Sequence, residues 1–60
     1  MRKLIEILTH EGVRKKYYTV HYLIDNEYIR IYGKFGSLNK ANNAAKRIAK
    51  KLKVKDIIVS

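Results

Sequence analysis

Apolar residues in this chain follow period two in the stretches up to Tyr32 and helical spacing from Leu38 to Leu52. Lys3 to Thr9 reads as a first strand, with Ile5 and Ile7 on one parity and Leu4 and Leu8 on the other beside Glu6. Apolar content on both faces suits a strand covered on both sides, or one used for self-association. His10-Glu11-Gly12 breaks the run. Tyr17 to Ile24 is the second strand, with Tyr18, Val20, Tyr22 and Ile24 on one face and Tyr17, Thr19, His21 and Leu23 on the other. Asp25-Asn26 tolerates the positive φ angles of a tight hairpin, so a third strand, Tyr28 to Tyr32, returns antiparallel. An uninterrupted register from that turn sets Tyr22 opposite Ile29, His21 opposite Arg30 and Val20 opposite Ile31. It predicts a core face of Tyr18, Val20, Tyr22, Ile29 and Ile31. Tyr17, Thr19, His21, Leu23, Tyr28, Arg30, Tyr32 and Lys34 then share the other face.

Gly33-Lys34-Phe35-Gly36 reads as a turn into a helix that opens at Ser37 and ends at Leu52. Leu38, Ala41, Ala45, Ile48 and Leu52, widened by Ala44 and Ala49, form its apolar stripe. Lys40, Asn43, Lys46, Arg47, Lys50 and Lys51 take the remaining surface. Ser37 is a suitable N-cap, although Lys40 stands where a capping box wants Glu or Gln. Ile57-Ile58-Val59 adds a short fourth strand, expected parallel to the third through a right-handed crossover. The predicted fold is α+β, one domain over residues 1–60. It is a three-stranded antiparallel meander packed on one helix of the C-terminal half, with a short fourth strand, in β-β-β-α-β order. Val20, Tyr22, Ile29, Ile31, Ile48 and Leu52 are its expected core.

Charge changes this picture from a fold into a function. Fourteen Lys and Arg against five Asp and Glu leave a net charge of +9 in sixty residues. In a domain this small, such a balance favours a polyanionic partner, nucleic acid before an anionic membrane. A self-repelling lysine-rich surface of the kind found in thermophile proteins is the plainer reading. The second half is the more basic: Gly33 to Ser60 holds eight Lys and Arg against Asp56 alone. Cysteine is absent, which removes disulfides and thiolate metal sites. The apolar run after Arg2-Lys3 is too short for a signal peptide or a membrane span, which predicts a soluble intracellular protein.

Catalysis finds little support. His10 and His21 have no cysteine to activate, Ser37 is a helix cap, and the five carboxylates are scattered. Two histidines make a weak metal site, so neither metal nor cofactor is expected. Gly33-Lys34-Phe35-Gly36-Ser37 lacks the spacing of a phosphate loop, although amides at a helix N-terminus beside Lys34 suit a backbone phosphate. The tyrosine face offers more. Aromatic rings interleaved with Arg30, Lys34 and His21 combine stacking surface with charge, as nucleic-acid-binding sheets do. Tyrosine is also a favoured strand residue and sits exposed for that reason alone. A second basic surface competes: Lys40, Lys46, Arg47, Lys50 and Lys51 on the helix.

Gly12-Val13-Arg14, the strand through Ile24-Asp25, and Gly33-x-Phe35-x-Ser37 followed by Ala41, Ala44 and Ala49 resemble the AP2-type DNA-binding domain. That domain is a three-stranded antiparallel sheet packed on one helix, and the likeness covers residues 12 to 52. The arm-binding domains of phage integrases share the plan. The resemblance implies that basic and aromatic sheet residues enter the DNA major groove, and by position it implicates Arg14, Lys16, His21 and Arg30. The tryptophans of the family are absent here, and residues 1–11 and 54–60 add strands that it does not require. The expectation is a non-catalytic nucleic-acid-binding protein, DNA ahead of RNA. Its contacts would come from Arg14, Lys16, Tyr17, His21, Tyr28, Arg30, Tyr32 and Lys34. The alternative is a protein-interaction module, either a small homodimer or a viral regulator with an acidic partner.

Overall fold

The computed structural model describes residues 1–60. Along the chain run β1 (Lys3–Glu11), β2 (Lys16–Ile24), β3 (Glu27–Phe35), α1 (Leu38–Leu52) and β4 (Asp56–Val59). The order is the expected β-β-β-α-β, and the strands form one mixed sheet in the order β3-β2-β1-β4. β4 runs parallel to β1, with Leu4 beside Asp56 and Ile7 beside Val59. It therefore has the same direction as β3 but lies at the opposite edge. Asp25 (φ 50°) and Asn26 (φ 69°) make the β2–β3 hairpin turn in the left-handed conformation their side chains tolerate.

Ser37 caps α1, its Oγ accepting from the Lys40 amide at 3.2 Å. At the other end Lys53 turns left-handed (φ 58°), and its amide and that of Val54 close on the last carbonyls of the helix, Val54 to Ala49 at 2.8 Å. Val54 is thereby tucked into the core. That core holds Ile5, Ile7, Val20, Ala41, Ala45, Ala49 and Val54, with Tyr18, Tyr22, Tyr32, Phe35, Ile48, Leu52 and Ile57 packed at its margin. Four buried alanines let α1 lie close to the sheet.

Ile29 and Ile31 are not in the core; they are 52% and 63% exposed. The uninterrupted register fails within β3. Glu27 faces Ile24 and Tyr28 faces Leu23, but Arg30 then faces Tyr22 and Ile31 faces His21. Lys34 comes opposite Thr19 and Phe35 opposite Tyr18, so Tyr32 and Gly33 together oppose Val20. Each inserted residue reverses the parity of the strand beyond it. The first, Ile29, sends Arg30 and Tyr32 to the helix side and Ile31 to the open side. The second, Gly33, restores the original parity at Lys34.

Gly33 has φ 101°, a conformation L side chains rarely adopt, and a Cβ there would stand 3.3 Å from the Phe35 ring. The expected Gly33–Gly36 turn is accordingly a bulge inside a strand that continues to Phe35. Packing gives the reason. Against a helix face made of alanine, the large ring of Tyr32 fills space beside Phe35 along α1 that the shorter Ile31 would leave open.

Candidate nucleic-acid interface

The face of the sheet away from α1 is ordered in cross-strand rows. One row runs Tyr28–Leu23–Leu4–Asp56, the next Ile31–His21–Glu6–Ile58, and the third Lys34–Thr19–Leu8. His10 and Tyr17 complete it, their rings stacked at 4.7 Å with Lys34 Nζ 4.3 Å from the Tyr17 ring centre. Thr19 Oγ1 lies 2.7 Å from Nε2 of both His10 and His21. Glu6 accepts hydrogen bonds from the Tyr28 hydroxyl at 2.6 Å and the Ser60 hydroxyl at 2.8 Å. The bond to Glu6 holds the phenolic proton and raises the Tyr28 pKa above the ordinary tyrosine value. This face carries one of the fourteen Lys and Arg, Lys34, against Glu6 and Asp56 from the five acidic residues. It is the least cationic surface of a strongly cationic chain.

His21 is only 7% exposed and its Nδ1 has no hydrogen-bond partner. Burial lowers its pKa below the ordinary histidine value, and His10 across Thr19 pushes the same way against the nearby Glu6 carboxylate. The unfolded chain therefore takes up this proton before the folded one does. Stability from the buried neutral ring is intact above about pH 6.5, the unfolded value, and is lost as pH falls toward the lower folded value. Denaturant melts at pH 7 and pH 5 should show this loss. His21→Asn should flatten the difference, and an unchanged slope in that variant would place its origin elsewhere.

A different surface gathers charge and aromatic rings. Between the β3 edge and α1 lies a groove of about 350 Å³ lined by Tyr32, Phe35, Ala44, Arg47, Ile48 and Lys51. Arg30 stands over the Tyr32 ring, its guanidinium carbon 4.9 Å from the ring centre. Local sequence builds this site. The Ile29 bulge turns Arg30 and Tyr32 toward the helix, and the spacing of Arg47 and Lys51 puts both on one side of α1, one turn apart. Lys40, Lys46 and Lys50 continue the charge over the exposed helix surface, about 22 Å long at 1.5 Å per residue. At the far end Arg2, Lys3, Lys53 and Lys55 surround a second cleft, with Asp56 as the lone acid.

The expected site residues thus divide. Tyr17, His21, Tyr28 and Lys34 lie on the open face as expected. Arg30 and Tyr32 lie on the helix side, a correction whose cause is the Ile29 insertion. Arg14 is exposed in the β1–β2 loop, and Lys16 opens β2 in an ion pair with Glu11 at 3.8 Å. The residues implicated by the AP2-type resemblance share no face, since His21 and Arg30 point to opposite sides of the sheet. Phe35 and the partnership of Arg47 and Lys51 with Tyr32 were missed. The available signal was a glycine inside an otherwise strand-like run, which marks a bulge as readily as a turn. No three His, Cys, Asp or Glu side chains converge as metal ligands, and no helix is long and apolar enough to cross a membrane. Compared with family models, curated proteins and solved structures, the chain matches none.

Proposed function

We propose that this protein binds nucleic acid along the β3–α1 edge, with an unstacked base in the groove and phosphates on the surrounding cations. One observation carries the reading: Tyr32 and Phe35 sit in the same groove as Arg47 and Lys51, under Arg30. Stacking on aromatic or guanidinium planes together with phosphate neutralisation is how single strands are held without sequence readout. The open sheet face supplies rings but almost no positive charge, so it does not serve. A base face and a phosphate are common to DNA and RNA, and the groove addresses both. Duplex stacks its bases away from the groove and meets only the cations.

Fluorescence anisotropy with labelled single-stranded DNA, RNA and duplex DNA tests this. Single strands should bind tighter than duplex of the same length. If Arg30, Arg47, Lys50 and Lys51 each take a phosphate, log affinity should fall with log salt at a slope of about −3. An absence of binding at low salt to all three, or an affinity indifferent to salt, overturns the proposal.

A further inference from the structure

We infer that the open sheet face is a dimer interface, and that its occupant is a second copy of this chain. Tyr28, Ile31 and Ile58 are 57%, 63% and 43% exposed on it. An apolar, charge-poor face on a +9 chain has the composition of an interface centre, where charged residues are depleted and tyrosine enriched. Two such chains repel through every other surface, and this face carries the least of that repulsion.

The row Ile31–His21–Glu6–Ile58 identifies the partner as a second copy. A two-fold axis parallel to the strands lays β3 of one copy over β4 of the other and β2 over β1. Ile31 then meets Ile58 of the other copy at both rims, and in the middle lies Glu6, bonded to Tyr28, whose ring packs against the buried His21. The next row brings Thr19 to Leu8, while Leu23 and Leu4, already buried within each copy, lie beneath the contact. The row is therefore its own complement, as an isologous interface requires. Face-to-face sheets pack about 10 Å apart with strands within about 30° of each other, which keeps these central pairs in register. Both β3–α1 grooves face outward in this arrangement.

Sedimentation equilibrium in the absence of nucleic acid tests the inference without reference to binding. The parent chain should dimerise with rising concentration. Ile31→Glu and Ile58→Lys, both exposed positions that leave the core untouched, should each raise the dimer dissociation constant at least about tenfold, a change of 1.4 kcal/mol. The chain carrying both substitutions should recover much of the lost affinity, because one Glu then faces one Lys at each of the two rims. Tyr32→Phe, on the other side of the sheet, should change nothing. A chain that stays monomeric up to millimolar concentration overturns the inference. So does a dimer indifferent to Ile31→Glu, or single-variant losses that the double variant merely adds.

Discussion

Truncating Ile7 to alanine should destabilise this protein by about 2–5 kcal/mol, a large share of what sixty residues hold. Ile7 is fully buried between Val20 on one neighbouring strand and Val59 on the other, against the alanines of α1. The alanines and regular ladders around it cannot collapse onto the space left, so the cavity remains. Ile31→Ala, in contrast, should stay within about 0.5 kcal/mol, because it removes an exposed side chain. The pair discriminates between registers: an uninterrupted β3 would make Ile31 the buried residue. Urea melts at protein concentrations that keep the chain monomeric check both values. Equal losses from the two variants would put the bulges of β3 in error.

How far the sequence revealed this fold is clearest in that strand. Alternation in β1 and β2, the Asp25-Asn26 turn and the Ser37 cap were each local signals, and the structure has them where they were expected. Each rests on chemistry confined to a few residues. The register of β3 does not. Ile29-Arg30-Ile31 is an alternating triplet that would satisfy a sheet in either parity, and the choice belongs to what packs above it. An alanine-faced helix lies close and leaves depth only at its flank, where tyrosine and phenylalanine fit. Sequence places the alanines, but the depth they create exists only once α1 sits on the sheet. The same limit concealed the candidate site. Arg30 and Tyr32 were assigned to the open face, while their neighbours Arg47 and Lys51 were assigned to a separate, competing surface.

Loss of the Tyr32 ring should be the largest single effect on nucleic-acid affinity. Tyr32→Ala should weaken single-strand binding by about 1–3 kcal/mol, the range for one base–aromatic stack, while Tyr32→Phe retains it. The phenylalanine control matters because Tyr32 also packs at the margin of the core. A loss through unfolding would appear in melts, whereas a loss of stacking would not. Replacing Lys46, Lys50 and Lys51 together by Gln should lower affinity as well. It should flatten the salt slope by about 1.4, at about 0.7 for each phosphate given up by Lys50 and Lys51. The two sets act on one surface, so their effects should couple rather than add, as residues sharing a ligand do. Tyr17→Ala on the open face should leave affinity within about 0.5 kcal/mol, the range of an ordinary surface substitution.

The proposed binding takes place where β3 meets α1. An NMR titration of labelled protein with a short single-stranded oligonucleotide locates the contact directly. Shifts should concentrate at Arg30, Tyr32, Gly33 and Phe35 and at Ala44, Arg47, Ile48 and Lys51, with His10, Tyr17 and Thr19 undisturbed. Shifts confined to the open face, centred on Tyr17 and Lys34, would contradict it.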